Sequence, residues 1–149
     1  MRVLGFVAVL ALLAPVSGAR AQTAADSAAI VAAATDYIQG WYEADAPRMQ
    51  RALHPGLAKR IVVTDPATQR NVVHHTSAAQ LVQDTGENEK APPARQRKDI
   101  TILDIFETMA AVKIIADGWV DYMHLGKVNG NWVIVNVMWA DGPVPQAGG

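Results

Sequence analysis

Asp121 is the side chain from which a reading of this sequence starts. It is the acid that interrupts the apolar run WVDYMHLGKVNGNWVIVNVMW at 119–139. A carboxyl on an apolar face is costly to desolvate, so it must be protonated, paired, or solvated by a ligand or water. Protonated, it can donate a hydrogen bond to a carbonyl or an oxyanion. The plainer alternative is an ion pair with Lys113, Lys127 or Arg60 at a sheet edge. Tyr37 would add a second donor from a helix, or else be an ordinary core phenol that finds any nearby acceptor. Trp41, Trp119, Met123 and Trp139 are the apolar candidates to line a hollow around these groups, with plain core packing as the competing role. His54 is the imidazole placed where a general base could work, and it could equally cap a helix. His74 and His75 are adjacent on a strand and point to opposite faces, so they cannot share a metal. No His/Asp/Glu set has ligand spacing, and neither a metal nor a cofactor is expected. The chain has no cysteine, which removes thiolate nucleophiles and disulfides alike. It has no glycine-rich phosphate loop and no G-x-S-x-G elbow.

These groups need elements to position them. Asn129-Gly130 is a strong hairpin signal between two runs rich in Val, Ile, Trp and Tyr. Two registers follow. A plain two-residue loop sets Asp121 opposite Met138, with Trp139 on the other face. A turn with Gly130 as a left-handed bulge residue sets Asp121 opposite Val137. In that second register Asp121 shares a face with Trp119, Met123, Leu125, Val133, Val135 and Trp139. It is favoured because it leaves one apolar face with a single acid. The other face then holds Val120, Tyr122, His124, Trp132, Ile134, Asn136 and Met138.

Upstream, 24–44 reads as a helix, since Ile30, Ala34, Tyr37, Ile38 and Trp41 form one stripe. Asp26 or Thr23 could cap its start. Asp45 caps a short second helix with Pro47 in its first turn, and 54–56 ends it. Short strands at 60–64 and 71–75 flank a turn at 65–68. Thr76 or Ser77 caps a third helix carrying Leu81 and Val82. Residues 86–97 read as a mobile polar loop, a candidate rim. Strands at 99–106 and 109–116 lead through Asp117-Gly118 into the central pair. The resulting fold class is α+β, a curved antiparallel sheet of about four long strands plus a short hairpin. Three helices cover its concave face and leave a cone-shaped space suited to a small ligand.

Composition narrows the setting. Arg2, an apolar stretch over 3–16 and Ala19-Arg20-Ala21 read as a signal peptide cleaved after Ala21. The apolar stretch is shorter than the roughly 20 residues of a spanning helix, so no membrane attachment is expected after cleavage. The expected domain runs over 22–140 and a disordered tail over 141–149, in a periplasmic or secreted protein. Taking Arg2 and Arg20 from the 13 basic residues leaves 11 against 14 acidic ones, a net charge of −3. No basic stripe is present, so nucleic acid is not an expected partner.

The residues at 36–60, 99–105 and 121–139 together resemble the nuclear transport factor 2-like (NTF2-like) superfamily. The resemblance is to its bacterial branch of putative lumazine-binding proteins, related to SnoaL-like cyclases, and it covers nearly all of the mature chain. It implies the cone fold, and it leaves function open because the superfamily hosts several enzyme classes and binding modules. The chain is also similar to ketosteroid isomerases. There the resemblance implies that Tyr37 and Asp121 act as oxyanion donors and that Trp139 is a pocket residue. Where that family carries its general base, this chain reads Lys59-Arg60-Ile61-Val62, without a carboxylate.

Three functions compete on these grounds. The first is an exported domain that binds a planar, oxygen-bearing small molecule. The second is an isomerase- or cyclase-like enzyme using Tyr37 and Asp121 as oxyanion donors, with His54 or a group on the substrate as base. The third is a structural module whose cone is filled by its own side chains. The apolar part of the outer face (Tyr122, Trp132, Ile134, Met138) predicts a homodimer through that face.

Overall fold

The computed structural model describes residues 17–142, with side chains from Thr23 onward. The expected leader lies outside the described residues except for the backbone of 17–21, and so does the tail beyond Gly142. Helix α1 (Ser17–Glu43) starts earlier than its apolar stripe indicates. That stripe is its inner face: Ile30, Ala34, Tyr37 and Ile38 are buried and Trp41 is half-buried. Helix α2 (Ala46–Ala52) follows at once. Asp45 caps it by accepting the Arg48 N–H, and Pro47 lies in its first turn. Gly40 lets the two helices approach, since a Cβ there would stand 3.0 Å from the Met49 nitrogen.

Six strands form one sheet in the order β2-β1-β6-β5-β4-β3. They are β1 (Leu53–Thr64), β2 (Asn71–Ser77), β3 (Lys98–Phe106), β4 (Met109–Ala116), β5 (Trp119–Val128) and β6 (Asn131–Asp141). Helix α3 (Ala78–Glu87) follows β2, and Ser77 caps it by accepting the Gln80 N–H. The fold is α+β with three helices on the concave face, as expected. One pairing differs from an all-antiparallel sheet: β1 runs parallel to β6. β1 is also longer than its β-branched part, because residues 54–56, expected to end a helix, lie inside it.

Three irregularities curve the sheet and set its faces. The Asn129-Gly130 turn is a plain two-residue loop with φ of 50° and 84°, the type I′ geometry that matches strand twist. The bulge is not at Gly130. It is at Val135, the extra residue where His124 pairs with Asn136 but Leu125 pairs with Ile134. Asp121 therefore faces Trp139, not Val137, and the two still share the inner face. Inward of the bulge the faces are reversed from expectation. Trp132 and Ile134 are buried, whereas Val133 and Val135 are only partly covered. A second bulge at Leu103 bends β3. The third irregularity is in β1, where Leu53 pairs with Ile134 and the next partner, Ala58, pairs with Asn136. Residues 54–57 loop out there, and the strand re-enters with Lys59 opposite Val137, on the inner side.

The core lies between this concave face and the helices. β4 contributes Ala110, Val112, Ile114 and Ala116 at every second position. Met49, Leu81, Met123, Leu125, Ile134 and Val137 complete it. β6 ends at Asp141, and the Gly142 N–H donates to the Gly118 carbonyl at 2.8 Å.

Candidate functional site

Three elements bring polar atoms to Asp121, which has no exposed surface. Trp119, two residues earlier on the same strand face, donates its indole N–H to Oδ2 at 2.8 Å. Lys59 of β1 reaches across β6, and its Nζ donates to Oδ1 at 3.1 Å. Tyr37 of α1 donates its hydroxyl to the same oxygen at 3.4 Å. Lys59 also donates to the Tyr37 hydroxyl at 2.5 Å. The carboxylate is thus paired, but with a lysine other than Lys113, Lys127 or Arg60. Lys113 lies over the Tyr122 ring, Lys127 bonds Asp26, and Arg60 bonds Asn136.

The electrostatics follow from burial. Desolvation pulls the Lys59 ammonium below its ordinary value of 10.5, and Asp121 opposes that shift. Burial, reinforced by the Asp121 charge, pushes the Tyr37 phenol well above 10.0, so it keeps its proton. The ammonium also stands 5.0 Å from the Trp139 ring centroid, within cation–π range.

A cavity of about 250 Å³ opens beside this cluster. Tyr37, Trp41, Met49, Lys59, Leu81, Trp119 and Trp139 line it. Asp121 lies behind the lining. Tyr37 and Asp121 therefore do not form a pair of donors aimed into open space, since they face each other and Lys59. The lining residue that carries a charge is Lys59, whose side chain is 12% exposed. Its ammonium has three N–H bonds. One goes to Asp121 and one to Tyr37, and the third has no acceptor among the described residues.

The rim is tied down by side-chain and backbone bonds. The Trp119 ring packs on Tyr42 with centroids 5.7 Å apart. The Tyr42 hydroxyl donates to the Arg97 carbonyl at 2.6 Å and accepts the Asp117 N–H at 2.9 Å. Burial raises that phenol above its ordinary value too. Asn88 donates to the Trp41 carbonyl at 3.1 Å, and Arg95 pairs with Asp117 at 2.7 Å. The stretch 86–97, expected as a mobile loop, is thus a fastened edge beside Trp41 and Trp119.

Of the residues singled out by sequence, the structure brings Tyr37, Trp41, Trp119 and Trp139 to the cavity wall and puts Asp121 directly behind it. Two others are elsewhere. His54 lies in the looped-out part of β1, where its Nδ1 accepts the Gly56 N–H at 3.0 Å, and it does not line the cavity. Met123 is a buried core side chain outside the lining. Lys59, Met49 and Leu81 line the cavity without having been named for it. Lys59 had a signal, because it lies in the stretch 59–62 where the isomerase resemblance expects a catalytic carboxylate. No set of three or more His, Asp or Glu among the described residues could hold a metal ion.

Comparison with known proteins places the chain in a family. No curated protein matches the sequence. Among solved structures, an NTF2-like protein of unknown function from Shewanella baltica OS155 has a TM-score of 0.63 at 21% identity, covering 80% of this chain and 96% of that one. An NTF-2 like protein of unknown function from Silicibacter pomeroyi DSS-3 has a TM-score of 0.64 at 14% identity, covering 80% and 98%. A third NTF2-like protein, from Methylobacillus flagellatus KT, has 0.62 at 19%, covering 80% and 94%. At these identities the likeness establishes the fold. The family model described as "Putative lumazine-binding" matches residues 25–140, and the chain belongs to that family within the NTF2-like superfamily.

Proposed function

We propose that this domain binds a planar, carbonyl-bearing organic molecule in the cavity beside Lys59. The observation that carries the reading is a lysine in the wall of an aromatic-lined space, one of whose N–H bonds has no acceptor among the described residues. Such a donor gains most from an acceptor that brings its own oxygen, because leaving it unmet in a dry pocket is costly. Asp121 already balances the charge of Lys59. The ligand need not be an anion, and a neutral carbonyl satisfies the site. Trp41, Trp119 and Trp139 provide the flat apolar faces that suit a ring system. Lumazine, a bicyclic dione, has the oxygen and the planarity that the site asks for, in keeping with the family description. Binding is favoured over isomerase chemistry, since neither a carboxylate nor an imidazole lines the cavity.

Titration of the tryptophan fluorescence with lumazine tests the reading. Saturable quenching that is lost in Lys59→Met is the expected result. Unsaturable quenching, equal in both proteins, would sink it.

Export and self-association complete the proposal. The leader-like N-terminus supports an exported protein, and a mature N-terminus at Gln22 is the expected finding. The outer sheet face carries Val62, Val73, Tyr122 and Met138 exposed. Trp132 and Ile134 point inward, so this patch is smaller than the one read from sequence. A homodimer through it predicts a dimeric mass by light scattering, and a monomeric mass would remove the idea.

A further inference from the structure

We infer that Lys59 forms an imine with a planar aldehyde or ketone bound in the cavity, with Asp121 and Tyr37 moving the protons. The inference rests on the binding reading above and takes it from a held ligand to a bonded one. A carbonyl oxygen that accepts the third N–H of Lys59 brings its carbon close to Nζ, and such proximity replaces a bimolecular encounter. Asp121 Oδ1, 3.1 Å from Nζ, is placed to take the proton that must leave before the nitrogen has a lone pair. The Tyr37 hydroxyl, 2.5 Å from Nζ and 3.4 Å from Oδ1, completes a path for returning it. Burial weakens the hold of the ammonium on its proton, the usual way in which an amine becomes a nucleophile near neutral pH.

The step balances without an oxidant or reductant. The ammonium gives one proton to Asp121. Its lone pair forms the C–N bond while the carbonyl π pair moves to oxygen, which takes a second nitrogen proton. The Asp121 proton, passed through Tyr37, leaves with that hydroxyl as water while C=N closes. An ammonium has become an iminium, and the carboxylate is restored. The charge opposite Asp121 and near the Trp139 ring is therefore the same before and after.

The chain has an internal control. Lys127 is also paired to an aspartate, Asp26, at 2.7 Å, but it is not part of the cavity wall. The test incubates the full chain with benzaldehyde and sodium cyanoborohydride, which fixes an imine as a benzylamine, and maps the label by peptide mass spectrometry. Lys59 should label several-fold faster than Lys98, Lys113 or Lys127 near neutral pH, because burial lowers its amine and the cavity gathers the aldehyde beside it. Labelling of Lys59 no faster than of those three overturns the inference. Lys59→Arg keeps the cation and removes the amine, so fast labelling retained in that variant also overturns it. Tryptophan fluorescence with lumazine, whose amide-like ring carbonyls do not condense with an amine, separates the two readings. Saturable quenching with no Lys59 label overturns the imine and leaves binding standing, and absence of both overturns both.

Discussion

Two aspartates in this chain receive the same donors. Asp121 accepts the Lys59 ammonium at 3.1 Å and the Trp119 indole at 2.8 Å. Asp26 accepts the Lys127 ammonium at 2.7 Å and the Trp132 indole at 2.9 Å. The first cluster is a candidate site, and the second is a fastening of α1 to the β5–β6 hairpin. Donor type and distance do not separate them. What differs is the surroundings. Asp121 is fully buried, holds a third donor in Tyr37 and backs onto a cavity. Asp26 is 16% exposed at its side chain, and Lys127 is 24% exposed. Its charges share solvent, and water screens what they gain from each other. A constellation becomes a site when empty volume adjoins it and one of its donors is left over.

The largest effect should come from breaking the buried pair. Lys59→Met strands the Asp121 carboxylate and should cost about 3–5 kcal/mol in urea unfolding. Lys127→Met should cost clearly less, and equal losses would erase the distinction drawn here. Because much of the first loss is the stranded charge, Lys59→Met with Asp121→Leu should be more stable than Lys59→Met alone. A double variant as weak as the sum of its parts would contradict that account.

Removing one indole N–H comes next. Trp119→Phe deletes a hydrogen bond to a buried charged group and should cost about 1.5–3 kcal/mol. Trp132→Phe deletes the equivalent bond at the partly solvated Asp26, and a smaller shift in the urea midpoint is expected.

The pH dependence should divide the clusters at opposite ends of the scale. The hydrogen bonds from Lys127 first, then Trp132, hold Asp26 below its ordinary 3.8. As pH falls the unfolded chain takes up that proton before the folded one. The stability from this group is thus present above about 3.8 and lost on acidification below it. Asp26→Asn should flatten that part of the acid limb. Tyr37 acts the other way, because its raised value lets the folded chain keep a proton that the unfolded chain loses above 10.0. Its contribution is complete below 10.0 and declines as pH rises further, so Tyr37→Phe should reduce the alkaline loss. Melting temperatures across pH check both. The smallest expected difference is in salt. Added NaCl should lower the stability contributed by Asp26–Lys127 more than that of Asp121–Lys59, read as a double-mutant coupling at low and high ionic strength.

How much was legible follows from range of interaction. The helical stripe of α1, the caps at Asp45 and Ser77 and the strong turn at Asn129-Gly130 are local signals, and each produced its element. Glycine advertises a left-handed position, so the sequence points to a bulge at Gly130. The real one, at Val135, has no mark in the sequence, since any residue can be the extra one in a ladder. Asp121 and Trp139 still fell on the same face, because a bulge anywhere between the turn and that pair changes the parity by one. Trp132 and Ile134, between the turn and the bulge, were assigned outward for the same reason. His54 lies in the looped-out part of β1, apart from the cavity lining, and no local signal in the sequence marks that loop.

The amino-acid order by itself determined the helices, the hairpin, the α+β class and the burial of a lone acid on a greasy strand, since periodicity, capping and turn chemistry act over a few residues. Which base meets that acid was decided only in three dimensions. Lys59 is 62 positions away from Asp121. The looped-out segment at 54–57 and the parallel pairing of β1 with β6 turn it inward. Neither feature leaves a local signal, because a parallel register is set by the strands and helices packed around it and not by any turn.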